Sequence, residues 1–217
     1  MRRLLHEKML SIAVVGANGK AGRLIVKEAL SRGFSVTAIV RGENQSGASQ
    51  SIQKDVMDLT KEDLQGFDVV VDALGFWTPE TLPLHTVTVK YLADLLSGTK
   101  TRLLIVGGAG SLYMDAAHTH QLADEPTFPK EYFPVADAMR KQLEAIVTHK
   151  DVNWTYVSPA AMFVPDAPRT GKYVLGGSDF SVNEKGESMV SYADFALALV
   201  DEIEKNAHNQ EQISVRS

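Results

Sequence analysis

The chain contains no cysteine. That absence excludes a thiol nucleophile, thiol–disulfide exchange, iron–sulfur clusters and cysteine-ligated zinc. Disulfide staples are excluded too, yet a chain of 217 residues buries roughly 70% of the surface its unfolded form exposes and needs none. An excess of positive charge is also missing. With 22 Lys and Arg against 27 Asp and Glu, the net charge is −5, whereas a broad nucleic-acid footprint requires a basic domain. No nucleic-acid partner is expected, and any anionic ligand must be met locally. No apolar run approaches the about 18 residues of a membrane span. In the first ten residues, MRRLLHEKML, Glu7 and Lys8 interrupt the stretch that a secretory signal would keep apolar. The sequence reads as cytoplasmic, with no membrane partner.

What is present is ordinary in amount, 44% apolar and 23% charged, and regular in order. Apolar runs alternate with helical periods, the pattern of an α/β protein: a Rossmann-type, doubly wound, mostly parallel sheet with helices on both faces. Strands are predicted at Met9 to Val15, Phe34 to Val40, Ser51 to Lys54, Asp68 to Asp72, Leu103 to Val106 and Val152 to Val157. Helices are predicted from Lys20 to Leu30, behind Pro83, and along Val135, Met139, Leu143, Ile146 and Val147. After residue 160 the composition changes to Pro, Gly and Asp clusters, with a strand candidate at Tyr173 to Leu175. Ser191 opens a last helix, with Asp194 at the capping-box spacing. Asp201, Glu202 and Glu204 read as the solvated face of that helix, and Gln212 to Val215 as a closing strand. At about 150 residues per domain, residues 1–217 are expected to form one domain, with 160–217 supplying a substrate side and closing helix.

The strongest local signal is Gly16-Ala17-Asn18-Gly19-Lys20-Ala21-Gly22, between the first strand and the first helix. Glycines let the backbone approach a pyrophosphate closely, and the amides and dipole at a helix start favour an anion. The spacing is GxxGxxG rather than GxGxxG, so the strand-turn-helix context, more than the triplet, points to a dinucleotide. An acidic residue at the end of the second strand would take a ribose 2′-hydroxyl. None occurs between Phe34 and Gly42, and Arg41 stands there instead. A guanidinium matches a 2′-phosphate bidentately, so NADP(H) is the preferred cofactor and NAD(H) the second choice.

The GANGKAG turn, Asp55-Val56, Ala73-Leu74-Gly75, Val106-Gly107-Gly108-Ala109-Gly110-Ser111 and Trp154-Thr155-Tyr156-Val157-Ser158-Pro159-Ala160-Ala161 together resemble the atypical short-chain dehydrogenase/reductases. Arg169-Thr170-Gly171-Lys172-Tyr173 and Ser191-Tyr192-Ala193-Asp194 extend the similarity to the NAD(P)H-binding, NmrA-like branch described as NADH-flavin reductases. The resemblance implies a pyrophosphate on Gly16, Asn18, Gly19, Lys20 and Gly22. It places Asp55 and Val56 beside the adenine and Ala73, Leu74 and Gly75 along the ribose, with Gly107, Gly108 and Pro159 near the nicotinamide.

The wider superfamily pairs a tyrosine with a lysine four residues on, so that the ammonium lowers the phenol pKa. None of the six tyrosines here has that lysine. Tyr132 precedes the right helix but Lys141 is nine residues away, over two turns. Tyr132 and Ser111 are the candidate proton donor and substrate-binding hydroxyl, while Phe76, Trp77, Met162 and Phe163 are candidates for an apolar wall against a planar acceptor. His118 and His120 with Asp115 and Asp124 read as a polar lid loop and not as a metal site, and His6, His85, His149 and His208 have no evident partners. The function expected is hydride transfer from NADP(H) to a small planar acceptor such as a flavin or quinone, which takes its protons from water. The alternatives are an NAD(P)-sensing regulatory protein of NmrA type and an NAD(P)-dependent epimerase or isomerase. Monomer and homodimer are equally open.

Overall fold

The computed structural model describes residues 9–217. The leader reading and His6 therefore fall on or largely on residues outside the described ones. Ten strands and five helices follow in the order β1 (Ser11–Val15), α1 (Lys20–Ser31), β2 (Ser35–Val40), β3 (Gln50–Gln53), α2 (Lys61–Leu64), β4 (Val69–Asp72), α3 (Leu84–Leu96), β5 (Arg102–Val106), α4 (Phe133–Val147), β6 (Asn153–Pro159), β7 (Met162–Val164), β8 (Val174–Gly176), β9 (Met189–Ser191), α5 (Tyr192–Lys205) and β10 (Glu211–Arg216). Eight strands form one sheet in the order β3-β2-β1-β4-β5-β6-β10-β8, and β7 pairs with β9 in a small second sheet. Every pairing in the main sheet is parallel except β8 against β10.

Both faces of the sheet are covered, which is why its strands are continuous apolar runs and not alternating ones. Ile12 and Val14 face one way and join Ile25, Val26 and Ala29 of α1 and Phe195, Leu199 and Val200 of α5. Ala13 and Val15 face the other way, among Val89, Leu92 and Leu96 of α3 and Ile146 of α4. Strand order reverses between β1 and β4, and in open α/β sheets the ligand crevice lies outside the carboxyl ends of the strands at such a point.

The last helix differs from the expectation at Asp201 and Glu202. Asp201 is half-buried and accepts from Arg32 Nη1 at 2.7 Å and from the Tyr173 hydroxyl at 2.5 Å. Glu202 is buried: its Oε1 accepts from Arg102 Nη2 at 3.0 Å and from the amides of Ala207 and His208, and its Oε2 meets His208 Nδ1 at 2.7 Å. Burial would raise the Glu202 pKa, but the His208 and Arg102 contacts outweigh it and hold the pKa low. Two further histidines have partners. His149 meets the Ala145 carbonyl at 3.1 Å and His85 the Phe76 carbonyl at 3.0 Å. Asp194 is buried and accepts from the amides of Thr170 and Gly171 and from the Thr170 hydroxyl, while Ser191 Oγ caps α5. The two downstream motifs thus form one clasp holding the 170–173 segment to the start of α5.

Candidate functional site

Gly16 ends β1 with φ +77°, and a Cβ on it would lie 2.8 Å from the Ala73 carbonyl oxygen. Only glycine lets the turn rest against the end of β4. A Cβ on Gly22 would sit 2.2 Å from the Gly16 carbonyl oxygen, so this glycine seats α1 on the turn. Gly19 stands at the N-cap of α1 with no side-chain cap, and the first turn has no acidic residue. The positive end of the helix is left without a side-chain partner, as an anion site requires. Asn18 fastens the turn sideways: its Nδ2 donates to the Glu43 carbonyl at 2.8 Å and its Oδ1 accepts from the Gln45 amide at 2.7 Å.

These elements enclose a cleft of about 580 Å³. Gly16, Asn18 and Gly19 line it from the turn, Arg41 and Gly42 from the end of β2, and Lys54, Asp55, Val56 and Met57 from the segment after β3. Ala73, Leu74, Gly75 and Phe76 line it after β4, with Leu84 and Thr88 of α3 beyond. Arg41 is exposed and has no hydrogen bond or ion pair among the described residues. Lys54, which sequence reasoning missed, bonds Asp63 at 2.7 Å, a contact that lowers the Asp63 pKa. Asp55 Oδ1 accepts from the Met57 amide at 2.9 Å, fixing the short 3₁₀ turn at Val56–Asp58.

Other predicted residues lie off this cleft. Lys20 is exposed on α1, and Gly22 is buried under the turn. Gly107 and Gly108 make room for protein: a Cβ would fall 2.1 Å from Tyr156 Cε1 in the first case and 2.7 Å from Met139 Sδ in the second. Pro159 is buried in β6 opposite Val215 of β10. Ser111 is 3% exposed, and its Oγ accepts from Gln212 Nε2 at 2.9 Å. It borders a separate groove of about 750 Å³ with Arg140 and Trp154. Tyr132 is exposed just before α4, and Lys141 is engaged with Asp137 at 3.1 Å, so no tyrosine–lysine couple forms there.

Of the apolar wall, Phe76 lines the cleft and Trp77 is 65% exposed, its indole lying where a Cβ on Gly75 would be 3.1 Å away. Phe163 is taken up by its own chain: it stacks on Tyr192 at 3.8 Å and meets Phe195 edge-on at 4.9 Å. The 115–120 loop is pinned rather than free, with Asp115 accepting from the Thr119 and His120 amides, and His118 Nε2 lying 2.6 Å from Asp179. Among the described residues no group of three or more metal-ligating side chains forms.

Asp72, the last residue of β4, went unremarked in the sequence. It is 1% exposed, with one carboxylate oxygen accepting from the Leu74 amide at 3.1 Å and the other without a partner. Burial pushes its pKa up to about 7.

Comparison with known proteins bears on this geometry. A sequence profile of the NAD(P)H-binding family matches residues 16–206. The protein YwnB of Bacillus subtilis (strain 168) is 45% identical over 211 residues, covering 96% of this chain and 99% of that one. A crystal structure from Streptococcus pneumoniae TIGR4, of a protein provisionally named an NADH-flavin reductase, is 52% identical, covers 96% of this chain and 99% of its own, and superposes with a TM-score of 0.94. A protein from Bacteroides thetaiotaomicron provisionally named an epimerase is 33% identical over 96% of this chain and 97% of its own, with a TM-score of 0.80. With its turn, its strand order and these relatives, the chain belongs to the NAD(P)H-binding family and has the fold of the atypical short-chain dehydrogenase/reductases.

Proposed function

We propose that this protein is an NADP(H)-preferring oxidoreductase that passes hydride to a small planar electron acceptor, a flavin or a quinone. The observation carrying the reading is Arg41: an exposed guanidinium with no partner among the described residues, on the wall of the cleft at the strand-order reversal. The residues fit the group. Gly16, Asn18 and Gly19 and the uncapped start of α1 would hold the pyrophosphate, and Arg41 the 2′-phosphate. Asp55 and Val56 would flank the adenine, and Ala73, Leu74 and Gly75 would follow the ribose towards Phe76.

A reduced nicotinamide bound there supplies the hydride. The protein contributes orientation and exclusion of water from the apolar end, where Phe76 and Leu84 line the cleft and Trp77 flanks it. No tyrosine has a lysine four residues on, so the phenol–ammonium couple that would exchange a proton with an alcohol is missing, which favours an acceptor protonated from water. The same observation favours a second reading, a regulatory NAD(P) sensor of NmrA type. Turnover separates the two: the reductase consumes NADPH when FMN or a quinone is added, whereas the sensor binds NADPH and leaves it intact.

A further inference from the structure

Beneath the acceptor side runs a chain of buried polar groups that neither cofactor binding nor hydride transfer uses. Tyr156 is fully buried, and its hydroxyl oxygen accepts from the Gly108 amide at 3.3 Å. Its one proton has two acceptors within reach, the Met139 carbonyl at 3.0 Å and Gln142 Oε1 at 3.3 Å, so either choice ties the phenol to α4. Gln142 is 2% exposed, and its Nε2 donates across to α3, to the His85 carbonyl at 3.3 Å. His85 is 1% exposed, and its Nε2 faces the Phe76 carbonyl at 3.0 Å. A carbonyl only accepts, so Nε2 carries the hydrogen. The Phe76 ring meets the imidazole edge-on at 5.1 Å, fixing side chain and backbone together.

We propose that His85, Gln142 and Tyr156 are positioning residues, forming a relay that locks the loop after β4, with Phe76 and Trp77, to the glycine loop after β5. The relay thereby sets the shape of the place where the acceptor lies, and this last step rests on the reductase reading above. β4 and β5 are neighbouring strands, so their trailing loops are neighbours. Three side chains this deeply buried cost stability unless satisfied. An apolar set would fill the same space but impose no direction, whereas linked hydrogen bonds fix one arrangement. Gly107 and Gly108 belong to the device, since any side chain on either would collide with Tyr156 or Met139.

The test uses the full chain with Tyr156→Phe, His85→Leu and His85→Gln. Hydrogen exchange followed by mass spectrometry reads the amides of residues 74–78 and 107–112 without any acceptor present. The relay predicts that Tyr156→Phe speeds exchange in the distant 74–78 loop and His85→Leu in the distant 107–112 loop, each by about tenfold. His85→Gln, which keeps a donor for the Phe76 carbonyl, is expected to restore the wild-type pattern. In steady-state assays with NADPH and FMN, the two loosening variants raise the KM for FMN roughly five- to tenfold and leave the NADPH dissociation constant within about twofold. Faster exchange confined to the loop each substitution touches overturns the relay, and so does loosening by His85→Gln as large as that by His85→Leu. Should the wild-type protein consume no NADPH with FMN, the exchange measurements still decide the relay, and the reductase reading alone falls.

Discussion

Arg41 and Asp72 carry the sharpest consequences at the scale of single residues. Replacing Arg41 by Ala is expected to weaken NADPH binding roughly ten- to a hundredfold, the loss of charged hydrogen bonds worth about 1.5–3 kcal/mol. NADH, lacking the 2′-phosphate, should bind as before, and titration by nicotinamide fluorescence reads both. Asp72 makes stability depend on pH. Its folded pKa of about 7 exceeds the unfolded value of about 3.9. Between these values the folded chain holds a proton that the unfolded chain has released. Stability from this group is therefore greatest below about pH 4 and falls by roughly 4 kcal/mol as pH rises to about 7. His85 opposes it: burial lowers its pKa, so stability is lost as pH falls below the unfolded value of about 6.5. Relative to the wild type, Asp72→Asn should shift the difference between the urea midpoints at pH 8 and pH 5 in favour of pH 8, leaving the opposite dependence that His85 imposes, and an unchanged difference would contradict the assignment. Arg41 was legible because chain position alone put it at the end of a strand. Lys54 and Asp72 were not, since one reaches the cleft only through the pairing of β3 with β2, and the other differs from an exposed aspartate only by what packs over it.

At the scale of elements, the Arg102–Glu202 pair ties α5 to β5 away from the cleft. Glu202→Leu leaves the guanidinium buried and unpaired and should cost about 3–5 kcal/mol in urea denaturation. Pairing it with Arg102→Met should recover the part of that loss due to the stranded guanidinium, while the Ala207 and His208 amides remain without the carboxylate. Helical spacing at Tyr192, Phe195 and Leu199 announced α5, but the same spacing assigned Glu202 to solvent, for want of any sign of Arg102 beneath it. The six strands before residue 160 were legible from apolar runs and glycine stops, to within two residues at their ends. α2, β7 and β9 were not, being three or four residues long and too short for either period to declare itself. The glycine turn was legible as a binding motif, yet its parts divide: Gly16 and Gly19 face the cleft, whereas Gly22 serves packing.

For the whole molecule, on the proposed reading, an acidic chain without cysteine meets an anion through one turn, one helix end and one arginine, all of which line or border the cleft at the strand-order reversal. No helix among the described residues is long and apolar enough to cross a membrane. The family and fold account for a nicotinamide cofactor, and the central claim of the proposed function is that the acceptor is one that needs no protein acid. That claim is tested most directly by following NADPH absorbance with the purified protein in the presence of FMN or a quinone. Acceptor-dependent oxidation of NADPH, faster than that of NADH and diminished by Arg41→Ala, is the predicted result. Tight binding of NADPH with no consumption across flavins and quinones would contradict it.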